Sequence, residues 1–133
     1  MQYAFNAAYG IGKAGVDRMS ADCGVELKKH KVTCLSLLLG GVKTEMSQEL
    51  VKTKGEKVVL KLDPNNPFLN EIKLIDVIND AESVEFAGKV ISKLATDPDL
   101  FSYTSKVVIA AEYAQKHGIK GMKIKLFMYL SYY

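Results

Sequence analysis

Tyr9 and Lys13 stand four residues apart, a spacing that brings both side chains to one face of a helix about a turn apart. A free phenol, with a pKa near ~10, is a poor proton donor or acceptor at neutral pH. A neighbouring ammonium favours the phenolate, so the pair suits proton transfer to or from a substrate oxygen. Spacing alone carries little weight, because seven Tyr and seventeen Lys in 133 residues supply about 0.9 such pairs by chance. Other reactive side chains form no pattern. His30 and His117 are distant in sequence, and Cys23 and Cys34 lie eleven apart with no second pair, so neither a disulfide framework nor a metal site is expected.

The pair needs a helix to carry it. From about Ala7 to Lys29, Val16, Met19, Cys23 and Leu27 recur at intervals of three and four, which predicts an amphipathic helix. Lys28, Lys29 and His30 then suit the negative end of its dipole. Gly10, Gly12, Gly15 and Gly24 interrupt it, each costing up to about 1 kcal/mol relative to alanine; such a helix depends on tertiary packing. Val32 to Leu39 is apolar without a clean period of two, as expected of a strand covered on both faces, and Gly40-Gly41 ends it. Thr44 is placed to cap a second helix running through Met46, Leu50 and Val51. Asp63-Pro-Asn-Asn-Pro67 breaks regular structure, and the stretch to Asp80 reads as loop with a short element near Ile72 to Ile78. Val84, Ala87, Val90, Ile91, Leu94 and Ala95 trace a further helix stopped by Asp97-Pro98; Lys106 to Ala110 is a short strand, followed by a brief helix at Glu112 to Lys116 and a stop at Gly118. Helices alternating with buried strands make an α/β order.

Ordered context gives the pair its meaning. Asn6-Ala-Ala-Tyr-Gly-Ile-Gly-Lys-Ala-Gly-Val-Asp-Arg-Met-Ser20 precedes Gly24-Val-Glu-Leu27, Val32-Thr-Cys-Leu-Ser-Leu37 and Gly40-Gly-Val-Lys-Thr44, with Glu82 to Lys89, Leu94 to Pro98 and Lys106-Val further on. Over roughly residues 3 to 120 this resembles the short-chain dehydrogenase/reductase family. The resemblance implies the C-terminal part of a doubly wound, Rossmann-type parallel sheet with flanking helices, its N-terminal cofactor-binding half absent. It divides one partial domain into a Tyr-x-x-x-Lys helix at 7–30, a core strand at 32–39, a substrate-loop region at 44–80, a helix at 82–96, a last strand at 106–110 and a tail at 118–133. By the same resemblance Tyr9 is the acid/base on a carbonyl or alcohol oxygen, and Lys13 favours its phenolate and bonds the nicotinamide ribose. Gly40, Val42 and Thr44 lie on the turn that meets the cofactor, an NAD(P)(H) with NADP(H) favoured. Leu39 stands where the family usually has Pro, and Ser105 where it often has Gly. The family's Gly-rich phosphate loop, Asn and catalytic Ser have no counterpart in these 133 residues. Alone, the chain is therefore expected to be inactive; the alternative function is a truncated product serving as an oligomerisation or interaction module.

Composition narrows the partners. The net charge of +3 comes from a basic set of seventeen lysines and a single arginine, Arg18, whereas nucleic-acid readers use Arg forks against guanine and phosphate, so no nucleic-acid partner is expected. No apolar run approaches the ~20 residues of a membrane span, and the two cysteines suit a reducing, cytoplasmic compartment. Packing on its own domain is favoured for the tail Leu126 to Tyr133, with contact to an intracellular membrane surface the minor reading. In the substrate-loop region Met46, Leu50, Val51, Leu60, Phe68 and Ile72 allow a small apolar carbonyl or alcohol substrate. By resemblance, the Tyr-bearing helix is also a candidate homo-oligomer contact.

Overall fold

The computed structural model describes residues 7–54, 59, 60 and 72–121. These divide between two compact units, one built from residues 7–39 and 87–119, the other from the described residues between 40 and 86. The elements follow an α/β order with a small parallel sheet.

The first unit begins with helix α1, Ala7–Leu27, and a 3₁₀ turn at Lys28–His30. Lys31 ends the helix in the left-handed region at φ 57°, its N–H donating to the Lys28 carbonyl at 3.0 Å while the Val32 N–H reaches the Leu27 carbonyl at 3.4 Å. This pair of bonds is the Schellman closure, made here with lysine instead of the usual glycine. The expected apolar stripe of α1 turns inward only in part: Cys23 and Leu27 are half-buried and Val16 and Met19 are exposed, while the buried residues are Ser20 and Gly24. The reason is proximity: a Cβ at Gly24 would overlap the Ser105 hydroxyl and lie 2.7 Å from the Ser105 nitrogen. A helix that approaches backbone this closely must turn its small residues inward.

Strand β1, Ser36–Leu38, runs parallel to strand β4, Val107–Ile109, with Ser36 opposite Val107 and Leu38 opposite Ile109. The ladder extends beyond the strands through Ser36 N–H to Lys106 O at 3.1 Å, Ser105 N–H to Cys34 O at 2.8 Å and Cys34 N–H to the Thr104 hydroxyl at 3.0 Å. β1 is shorter than the run Val32 to Leu39 suggests, and only Ser36 in it is buried; Leu38 and Leu39 are exposed. Among the described residues β1 pairs with β4 alone, which leaves its other edge and part of its surface uncovered. Ser105 enters the sheet at φ 60°, where glycine would carry no strain. Helix α5, Ala110–Lys116, follows β4 directly and buries Ala110, Ala111, Tyr113 and Ala114.

In the second unit, helix α2, Glu45–Lys54, starts where the sequence places its cap: the Ser47 N–H donates to the Thr44 hydroxyl oxygen at 3.2 Å. β2, Val59–Leu60, pairs antiparallel with β3, Ile72–Lys73, and helix α3, Leu74–Asn79, follows; the short element expected near Ile72 to Ile78 is thus a strand end and a helix turn. Helix α4, Val84–Ala95, carries the chain from this unit into the first. Its buried line is Phe86, Val90 and Leu94, spaced by four; Val84 and Ile91, expected on the apolar face, are exposed. Asp63 to Pro67 and the tail beyond Gly121 lie outside the described residues. Among the described residues no helix is long and apolar enough to cross a membrane.

Candidate functional site

Helix α1 places the predicted catalytic pair as its spacing requires. The Lys13 ammonium lies 5.4 Å from the centroid of the Tyr9 ring, within cation–π range, and Tyr9 is about half exposed. A phenol and an ammonium are therefore held together on a face that a ligand can reach. Gly12, one residue before Lys13, and Gly15, two residues after it, have open space at their Cβ positions. The helix is fastened to the sheet by Asp17, whose carboxylate accepts a 2.6 Å bond from the Ser36 hydroxyl of β1. Asp17 lies one turn beyond Lys13, so this bond fixes the part of the helix that carries the pair.

Gly40, Val42 and Thr44 belong to the other unit, where they form one turn leading into α2. Glu82 holds that turn from three sides. Its backbone N–H donates to the Gly41 carbonyl at 2.7 Å, its carbonyl accepts from the Lys43 N–H at 2.9 Å, and its carboxylate packs against Gly40. The two backbone bonds make a parallel bridge between Val42 and Glu82. A Cβ on Gly40 would come within 3.2 Å of Glu82 Oε1, so the glycine is what lets the carboxylate sit this close. Glu82 is only 5 % exposed, and its Oε2 is shielded from solvent with no hydrogen-bond partner among the described residues. Burial raises the carboxyl above the ordinary glutamate range, and the Gly40 amide opposes that rise. Further along the turn, the Thr44 N–H folds back to the Val42 carbonyl at 2.8 Å. The structure thus brings Tyr9 together with Lys13 in one unit and Gly40, Val42 and Thr44 together in the other. Glu82 was read only as part of a family-like segment; its distance of 42 positions from Gly40 in sequence hides the contact from any local pattern.

Two further polar clusters are structural. Asp97, just after α4, accepts from the Tyr113 hydroxyl at 2.6 Å and from the Asp99 N–H at 2.9 Å, which ties the end of that helix to α5. The Tyr113 hydroxyl and then the Asp99 amide hold the Asp97 carboxyl below its ordinary range. Burial, with the adjacent carboxylate, pushes the Tyr113 phenol far above its own. His117 stacks on Tyr113 with ring centroids 4.1 Å apart. Cys23 and Cys34 are free thiols, and burial raises Cys23, which favours the unreactive protonated form. Among the described residues no three His, Cys, Asp or Glu side chains gather as a metal site.

The stretch of sequence that carries Tyr9, Lys13 and the Gly40–Thr44 turn matches known proteins. Residues 1–55 match the short chain dehydrogenase family. The chain belongs to that family. It is 38 % identical over 120 residues to dehydrogenase/reductase SDR family member 1 of Homo sapiens, an alignment covering 90 % of this chain and 36 % of that protein. To the Mus musculus protein of the same name it is 36 % identical over 135 residues, covering 99 % of this chain and 40 % of the relative. The chain thus spans well under half the length of these curated relatives.

Proposed function

We propose that this chain carries the proton-transfer helix and the nicotinamide-side turn of an NAD(P)-dependent oxidoreductase that interconverts a carbonyl and an alcohol. The observation that carries the reading is the Tyr9–Lys13 pair, exposed and in contact on α1, within the residues that match the family. In reduction the Tyr9 hydroxyl gives its proton to the substrate oxygen; in oxidation the phenolate takes one back. The Lys13 ammonium, held over the Tyr9 ring, has donors to spare for a ribose hydroxyl. The residues present fit the nicotinamide–ribose end of a dinucleotide: Thr44 is exposed at the start of α2, and Gly40 and Val42 bring backbone to the same turn. The bound nicotinamide supplies or accepts the hydride. We assign β1 and β4 to a doubly wound, Rossmann-type sheet, and favour NADP(H) over NAD(H) on family grounds. The substrate is a small apolar carbonyl or alcohol, consistent with Met46 at 81 % exposure and half-buried Leu50 and Val51 on α2. The side chains of Leu60, Phe68 and Ile72 lie outside the described residues.

The test uses the protein expressed from its complete gene, assayed with NADPH and NADH against a panel of apolar aldehydes and ketones. Tyr9→Phe is expected to lower kcat by roughly 10²- to 10⁴-fold, the usual worth of a positioned acid/base, with dinucleotide affinity retained. Unchanged turnover in Tyr9→Phe would remove Tyr9 from the chemistry.

A second reading rests on the outward face of α1. Ile11 at 73 %, Val25 at 69 % and Met19 at 59 % exposure give this helix apolar surface suited to a second subunit, as a homo-oligomer or as a non-catalytic interaction module.

A further inference from the structure

We propose that Glu82 is a positioning residue for the dinucleotide, setting the shape of the Gly40–Thr44 turn through its carboxylate and its backbone. The inference rests on the oxidoreductase reading and deepens it. Three observations converge. Glu82 engages the turn at three points: its backbone bonds Gly41 and Lys43, and its carboxylate packs against Gly40. Gly40 accommodates the carboxylate because it has no Cβ, which would otherwise stand 3.2 Å from Oε1. And Oε2 is buried with no partner among the described residues, in a side chain only 5 % exposed.

The third observation says what the residue is for. A buried carboxylate with one oxygen unpaired is a poor way to add stability, since an apolar side chain of similar size avoids the desolvation of charge altogether. What an apolar side chain cannot do is present an oxygen to the Gly40 backbone and so bias where that peptide plane points. Leu39 precedes the turn, so no proline ring restricts its entry. The carboxylate supplies the restriction from across the fold instead. Peptide planes oriented before a ligand arrives need no reordering when it binds, so the effect belongs to binding and not to the chemical step.

The experiment compares Glu82→Ala and Glu82→Gln in the protein expressed from its complete gene. NADPH and NADH affinities are read by fluorescence titration, kcat and KM with a turned-over aldehyde or ketone, and amide hydrogen exchange over residues 39–44 without dinucleotide. Glu82→Ala is expected to weaken dinucleotide binding about tenfold or more and to speed exchange at Gly40, with kcat at saturating dinucleotide within about threefold. Glu82→Gln keeps an acceptor for Gly40 and is expected to stay within about threefold in both readouts. Unchanged affinity in Glu82→Ala overturns the proposal, whatever exchange shows. An equal loss in Glu82→Gln overturns it too, because the acceptor is then not what matters. Should Glu82→Ala fail to fold, Gly40→Ala, which displaces the carboxylate with a methyl group, replaces it, and unchanged affinity there is equally fatal. If the unsubstituted protein binds neither dinucleotide, the oxidoreductase reading fails, and with it the binding role of Glu82. Exchange at Gly40 then still reports whether the carboxylate orders the turn.

Discussion

Replacing Gly24 with alanine separates two effects that usually travel together. In an open helix position the change stabilises, because alanine is better than glycine by about 1 kcal/mol. At Gly24 the new Cβ would stand 2.7 Å from the Ser105 nitrogen and 2.9 Å from its Cα, besides overlapping its hydroxyl. Ordinary contact begins at 3.4 Å, so helix and backbone must part by about 0.7 Å, against a core that resists such shifts. Rotating the hydroxyl away does not suffice, since backbone atoms are in the way. Nor is Ser105 free to retreat: its N–H is bonded to Cys34 O at 2.8 Å and its φ is 60°. Overpacking of this kind costs about 1–3 kcal/mol, and stretching the Ser105–Cys34 bond adds up to about 1 kcal/mol. Against the propensity gain of about 1 kcal/mol, Gly24→Ala should destabilise by up to about 3 kcal/mol. Gly12→Ala and Gly15→Ala, with nothing within 4 Å of the added methyl, should stabilise by up to about 1 kcal/mol each. The assay is urea-dependent proteolysis of the 133-residue chain displayed on a cell surface, which tolerates poor solubility. With a urea dependence of about 1–1.5 kcal/mol per molar for a chain this size, the midpoint of Gly24→Ala should fall below that of Gly15→Ala by up to about 3 M. A Gly24→Ala midpoint equal to or above that of Gly15→Ala would refute the close approach of α1 to Ser105.

The lowered Asp97 carboxyl makes a pH prediction. Because its folded value lies below the unfolded one, its contribution is present above the ordinary carboxylate range and is lost as pH falls through the folded value. Tyr113→Phe removes the largest cause, so it should cost more stability at pH 7 than at pH 3 in denaturant titrations, and an equal loss at both would show that the hydroxyl does not act through the carboxylate. On the outer face of α1, Met19→Glu should shift the protein expressed from its complete gene to a smaller species in light scattering if that face seats a second subunit. An unchanged mass with unchanged stability would take α1 out of the interface.

What could be read from sequence were the features encoded by neighbours. The Thr44 cap and its helix follow from one hydroxyl before an amphipathic run, and the end of α1 from a basic cluster. The Tyr9–Lys13 contact follows from helical spacing alone, and its significance came from the ordered segments after it. The inward face of α1 was misread because apolar periodicity assumes that apolar side chains fill the interface. Here the neighbour is backbone at Ser105, and the residues that fit against it are Ser20 and Gly24. The α4 stripe was rotated for a related reason: Phe86 commands the buried line, leaving Val84 and Ile91 outside. Glu82 and the Asp97–Tyr113 bond were invisible because nothing local distinguishes a glutamate or aspartate that will find a distant amide or hydroxyl from one that will face water.

The bonds between Glu82 and the Gly40–Lys43 turn also form the stem of an excursion. Residues 44 to 81 leave the turn and return to it between bonds made at Lys43 and at Glu82. A stem closed by its own hydrogen bonds lets the interior of such an excursion change without disturbing either end. Doubling the length of a flexible loop costs only about 0.6 kcal/mol in closure entropy. The stretch proposed to meet substrate is therefore the one that can lengthen, shorten or exchange side chains at least cost. Variation in substrate preference among related chains should accumulate above the stem, while the turn below it keeps its shape.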